Sequence, residues 1–298
     1  IPGMLLALLT WQIKEPPRGL SEGLISSESK NPLKETFKEL VGLTPFGLVG
    51  SDNFKKELSI NIIFTVLIFL ASYYLYVLTG DFLQWTAFGI GVYVICNWIH
   101  GLKNRDPVAF LLIFKSKALL LGLLSFPFIT FVTYALGAFG PSFYIRNFSM
   151  TATEVGIIYG LITVFGSMIG VICGGILGDK LRETYVNGKL YLIMASAVLT
   201  GVTAIGFIHS ENLVASFTWK FVYHIASTAW LGCAASTVTE LVLPRLRAVA
   251  SAFFILMLSM IGLALGPYLT GMVSDIYINS GLLPVSYTHL TLPTSHCV

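Results

Sequence analysis

Charge is what this 298-residue sequence has least of. Asp, Glu, Lys and Arg make up 11% of it, where a water-soluble domain carries about 25%. So few ionic side chains cannot coat a water-facing surface, and a mean hydropathy of +0.79 points the same way. Disorder, a collagen-like fibre and a basic nucleic-acid arm are excluded. Cysteine is scarce as well. Three of the four, Cys96, Cys173 and Cys233, lie inside apolar runs, and Cys297 lies near the C-terminal end. Their spacing matches neither a zinc site nor a CxxC pair, so they read as small buried hydrophobes. HExxH, GxSxG, the P-loop and GxGxxG are all missing, and the five His residues are scattered. No enzyme activity, metal centre or cofactor is expected.

What the sequence does have is long apolar runs. Seven stand out, at 58–78, 82–100, 118–139, 155–177, 190–208, 213–243 and 248–272. Each is long enough to cross a bilayer as a helix of about 20 residues. Continuous apolar runs argue for helix over alternating strand, and helices satisfy their own backbone in lipid. The expected fold is an all-α, polytopic transmembrane helical bundle. The basic residues support the count. If the spans alternate, all but two of the 18 Lys and Arg fall in connectors on one side; the exceptions are Arg146 and Lys220. The positive-inside rule makes that side cytoplasmic, so the expected location is a multi-pass inner (plasma) membrane of bacterial type.

The flanking segments carry their own expectations. Residues 1–13 are apolar but too short to span, and read as the end of a truncated transmembrane helix. Residues 14–57 form a polar cytoplasmic loop. Within it Asn31-Pro32 reads as an N-cap with Pro at the first helical position, and Leu33, Phe37, Leu40 and Val41 share one face. This is either an amphipathic helix on the membrane surface or a linker helix packed on the bundle. Residues 285–298 fit no helical pattern and read as a non-native sequencing scar or as a disordered tail. The chain is thus expected to be a fragment of a longer protein.

Small residues and polar groups pick out candidate sites. Gly166, Gly170, Gly174 and Gly178 recur every four residues, a stripe that admits a neighbouring helix closely. Whether it serves static packing or sliding is open from the sequence. Ionisable residues within a span are costly and mark functional positions by default. Lys220 and His224 lie one turn apart, with Tyr223 and Ser227 near the same face. Lys220 could hold an anionic group and His224 could carry a proton. The plainer alternative is that Lys220 snorkels outward and His224 is simply hydrogen-bonded. Thr130, Thr133 and Tyr134 form a milder polar patch, and Glu240 precedes Arg245 and Arg247 as a candidate boundary ion pair. Asn147-Phe148-Ser149 fits the glycosylation pattern, which matches by chance at a high rate.

Between the fourth and fifth runs stands Gly175-Ile176-Leu177-Gly178-Asp179-Lys180-Leu181-Arg182. It resembles the G-x-x-x-D-[RK]-x-G-R-[RK] loop of the major facilitator superfamily. Gly175, Asp179 and Lys180 fit, while Arg182 and Glu183 replace the later Gly-Arg. An aspartate there can accept from the amide end of a neighbouring helix and pair with its basic residues. Arg245 and Arg247 are the expected partners of a latch that closes the cytoplasmic side.

A second resemblance is narrower. Lys14-Glu15-Pro16-Pro17-Arg18-Gly19 resembles the segment after helix six of Spinster-like transporters in that superfamily. Phe131-Val132-Thr133 with Pro141, and residues 247–275 with Gly266-Pro267 and Ser274-Asp275, resemble that family's helices seven and eleven. The resemblance implies the C-terminal half of the fold, helices seven to eleven over 101–284, with 58–100 as an inserted two-helix hairpin. It further implies a secondary active transporter working by alternating access on a small organic solute. That solute is expected to be amphipathic or lysolipid- or sphingoid-like, with proton coupling. The implied partners are that solute, protons, the lipid bilayer and the missing N-terminal half of the chain, and no nucleic acid. The alternative is a non-transporting membrane receptor or scaffold.

Overall fold

The structure, a computed structural model, describes residues 10, 54–105 and 107–279. Residues 1–62 and 63–298 group as separate units. The expectations for 1–13, for most of the 14–57 loop and for 285–298 lie outside the described residues.

Among the described residues the regular structure is helical. A hairpin comes first: α1 (Phe54–Thr79) and α2 (Phe82–Arg105). Gly80 turns the chain between them at φ +81°, a left-handed value that L side chains rarely adopt. Its N–H donates to the Tyr76 carbonyl at 2.7 Å, which ends α1. Gly89 of α2 lies against Ser72 and Ile68 of α1, where a methyl group would collide. The connector expected at 101–117 contains a short helix, α3 (Pro107–Lys115). Ser116 then caps α4 (Lys117–Asn147), its side chain accepting from the Leu119 N–H.

Thr151 and Glu154 form a reciprocal capping box at the start of α5 (Ala152–Thr184). α6 (Gly188–Ile208) and α7 (Leu213–Glu240) follow as an antiparallel pair. Ser216 Oγ donates to the Phe207 carbonyl at one end of the pair, Ser196 Oγ to the Ala226 carbonyl midway, and Lys189 meets Glu240 at the other end. The last crossing is broken: α8 (Arg247–Met257), a π-helical turn over Leu258–Ala264, then α9 (Gly266–Asn279).

The glycine stripe explains how α5 and α7 pack. A Cβ on Gly170 would stand 2.5 Å from the Ile225 carbonyl oxygen, and one on Gly174 would stand 2.0 Å from that of Ala229. On Gly178 it would meet Cys233 Sγ at 2.1 Å. Contacts advance in the same direction along both chains, so α5 and α7 run parallel, backbone against backbone. Likewise Gly262 sits on Thr130 and Gly266 on the Phe131 carbonyl, so the broken helix runs parallel to α4. These directions alternate along the chain, and they put Lys103, Lys117, Lys180, Lys189 and Arg247 at one common end of the bundle.

Among the described residues six helices are long and apolar enough to cross a membrane, and together they make this a multi-pass integral membrane protein. α7 is not one of the six, although it was expected to be a span on apolarity. It has 28 residues and runs the length of α5, but Lys220, His224 and a series of Ser and Thr dilute its apolar character. Ser216, Lys220, His224 and Ser227 are buried in protein and do not have to be paid for in lipid.

Candidate functional site

Lys220 lies about two turns into α7 and is fully buried. It does not snorkel to the surface. Its Nζ donates to the Tyr159 hydroxyl of α5 at 2.8 Å, and that hydroxyl faces the Leu136 carbonyl of α4 at 3.4 Å. Three rings surround the amine: Tyr159, Phe207 and Tyr223 have centroids 4.2, 4.7 and 5.0 Å away. An ammonium is attracted by such ring faces. Among the described residues no carboxylate forms an ion pair with it; the pairs present lie at the far end of α7.

His224, one turn on, meets Thr163 of α5, with Nε2 3.0 Å from Oγ1. Thr163 donates to the Tyr159 carbonyl at 2.8 Å, so the His224 Nε2–H is the donor in that pair. The Tyr223 hydroxyl is buried and points toward Thr133 without closing a hydrogen bond. Ser227 is buried and accompanies the His224 carbonyl at 3.4 Å. Beyond Tyr159 the polar chain continues: Ser216 gives its proton to the Phe207 carbonyl, so Tyr144 donates to Ser216 at 2.9 Å. Phe207 is shared with a neighbouring cavity of about 230 Å³, whose lining includes Leu136, Phe143, Arg146, Thr270 and Ser274. Gly140 lines the same cavity, and a Cβ there would fall 2.4 Å from the Tyr159 hydroxyl.

The structure therefore brings Lys220, Tyr223, His224 and Ser227 together, and it sets Thr130 and Tyr134 apart from them. Thr130 donates to the Pro127 carbonyl at 2.7 Å and supports Gly262 of the broken helix. Tyr134 is 41% exposed on another face of α4. Tyr159, Phe207, Thr163 and Tyr144 were not legible as site residues. Tyr159, Thr163 and Phe207 sit in apolar runs with no polar stripe to mark them, Tyr144 lies beyond the end of one, and only the packing of three helices converges them.

About 30 Å along α7, at 1.5 Å per residue, lies a second polar cluster. Lys189, in the first turn of α6, is bonded to Glu240 and lies 3.8 Å from Asp179; Arg182 lies 3.9 Å from Glu240. Asp179 was expected to face Arg245 and Arg247, but here it faces Lys189. Arg247 Nε donates to the Thr239 carbonyl at 3.3 Å, and the Arg245 side chain lies outside the described residues. A Lys in a helix's first turn opposes the helix dipole. That local conflict is the signal that Lys189 has carboxylate partners. Gly175 faces open space and Lys180 is exposed. A cavity of about 460 Å³ adjoins this cluster, walled by Leu119, Gly122 and Phe126 of α4 and floored by Arg182, Lys189 and Glu240. Among the described residues no group of His, Cys, Asp and Glu side chains is placed to hold a metal ion.

Comparison with known proteins gives this arrangement a context. No family model matches the chain. It is 32% identical over 149 residues to an MFS-type efflux pump of Mycolicibacterium smegmatis, covering 50% of this chain and 34% of that protein. It is 26% identical over 173 residues to protein spinster of Drosophila melanogaster, covering 54% and 28%. Among solved structures it matches the crystal structure of a bacterial homologue of the human lysosomal transporter Spinster, inward-facing and unoccupied. That match has a TM-score of 0.50 at 25% identity and covers 67% of this chain and 45% of that one. The chain spans about a third of the curated relatives. It is a homologue of the Spinster-like proteins of the major facilitator superfamily, and its helices carry that fold.

Proposed function

We propose that this chain is the C-terminal half of a secondary active transporter for a small amphipathic organic anion, lysolipid- or sphingoid-like, in a bacterial plasma membrane. α4 to α9 serve as helices seven to eleven, and α1–α2 are an added hairpin. An N-terminal half of the kind the relatives carry completes the path, and the two halves rock about a central site. The observation that carries this proposal is Lys220, a buried amine with aromatic walls and no described carboxylate partner. Such a group is costly unless a ligand supplies the counter-charge. The aromatic cage and the adjoining 230 Å³ cavity suit the apolar part of the solute.

His224 is proposed as the proton carrier, because His is the side chain that changes charge near neutral pH. Asp179, Lys180, Arg182, Glu240, Arg245 and Arg247, with Gly175 and now Lys189, are proposed as the cytoplasmic latch. The names of the relatives, an efflux pump and a bacterial homologue of a human lysosomal transporter, support transport as the class.

The test uses the full-length protein in liposomes with a lysophospholipid probe. Lys220→Met is expected to cut the initial rate at least tenfold without loss of folded protein. His224→Gln is expected to flatten the dependence of rate on pH between about 6 and 8. An unchanged rate and pH profile would remove both residues from the mechanism. Saturable binding without flux would return the receptor or scaffold alternative.

A further inference from the structure

We infer that α2 is a splint across the break between α8 and α9, with Gln84 and Asp81 as positioning residues that set the bend. This rests on the transport proposal only for its consequence, not for its geometry.

The break is built into the sequence. Pro267 has no N–H, so it cannot give the helical hydrogen bond owed to the preceding turn, and the chain passes through the π turn at Leu258–Ala264 before α9 begins. Within a membrane, irregular backbone persists only where protein supplies the missing partners. Gln84 supplies one: its Nε2 donates to the Ala264 carbonyl at 3.2 Å. Just beyond the break, the Tyr268 hydroxyl donates to Asp81 Oδ2 at 2.7 Å. The Trp85 ring packs edge-on to Tyr268, centroids 5.3 Å apart, and is itself fixed by donating to Thr79 Oγ1 at 2.6 Å.

Toward its other end, the same continuous helix touches the π turn through Gly91 and Met260, and α8 through Trp98 stacked on Phe253 at 5.5 Å. α2 therefore bears on both arms of the broken helix and on the joint between them. The hydrogen bonds of Gln84, and of Asp81 just before α2, fall at the joint and on the α9 arm. On the opposite side α4 receives Gly262 and Gly266 so closely that no side chain fits. α9 is nonetheless not packed solid against the hairpin. A groove of about 850 Å³, bordered by Asp81, Gln84, Pro267, Tyr268 and Asp275, runs beside it. The joint has room to bend, and Gln84 and Asp81 hold it at one angle.

The experiment is hydrogen exchange on the full-length protein in nanodiscs, paired with flux. In Gln84→Leu/Asp81→Ala, amides over 260–270 should exchange about fivefold faster, as expected for the loss of two hydrogen bonds near the joint. Amides of α5–α7 should be unchanged, and Asp81→Asn with Gln84 intact should stay close to wild type. In flux, the double variant should change the maximal rate and leave half-saturation alone. Unchanged exchange over 260–270, or faster exchange everywhere, overturns the splint. Local loosening with both kinetic constants unchanged overturns its role in positioning. Absence of flux in the wild type would defeat the transport proposal while the exchange result still decides the splint.

Discussion

α1 and α7 are helices of similar length with opposite logic. α1 is among the most apolar segments of the chain, and of its described side chains only Asn61 is buried. Phe69, Leu70, Tyr74 and Leu78 all lie open on its surface. α7 carries a lysine, a histidine and a run of Ser and Thr, and it is the helix with the most buried residues. In water the pattern would be reversed, because apolar surface is driven inward. In lipid there is no such drive between helices. Polar groups and small residues decide what goes inside, and apolar side chains can stay at the boundary. Hydropathy in this chain marks what faces lipid, and polarity marks what faces protein.

Substitutions can break that contrast, and the largest effect belongs at the seat of α7. Gly174→Leu would drive a side chain into the Ala229 carbonyl, which cannot rotate away. The expected cost is about 3 kcal/mol or outright failure to fold, seen as loss of a monodisperse peak or a large fall in thermal midpoint. Gly156→Leu on the same helix meets nothing within 4 Å and should be neutral or slightly stabilising. Equal damage from both would show that α5 and α7 are not packed through the stripe.

A middle-sized effect is expected at the foot of α7. Lys189→Met would leave Asp179 and Glu240 facing each other without their shared cation. Both carboxylates are substantially exposed, so water screens them, and about 1–2 kcal/mol is expected. Adding Glu240→Gln should recover most of it in a thermal melt; no recovery would mean that Lys189 acts through packing alone. The smallest effect belongs to α1. Leu70→Ala should change stability by under about 0.5 kcal/mol, and a larger loss in the melt would show that α1 is covered by protein and not by lipid.

How much of this was legible follows from the same contrast. The runs at 58–78 through 190–208 and 248–272 announce their helices because lipid-facing residues must be apolar nearly all round. The glycine period of four on α5 announces a close helix neighbour, and Lys220 with His224 announces a buried stripe on α7. The break at 258–264 was signalled only by Gly266-Pro267, and the π turn before it carries no signature of its own. The short helix α3 was hidden in what reads as a basic connector. Tyr159 and Phe207 stand among many aromatics in apolar runs, and nothing local separates a ring that faces lipid from one that faces an amine.

The sequence alone determined the class of solvent, the helical nature of the long apolar runs and the end of the bundle that collects basic residues. Each of these depends on composition within a single segment, and lipid reads each segment independently. Tertiary structure decided which carboxylates Lys189 joins, which rings enclose Lys220 and which helix supports the break at Ala264. Those outcomes depend on how far one helix slides and rotates against another, and backbone contact at glycines such as Gly174 and Gly262 sets that register between segments far apart in the chain.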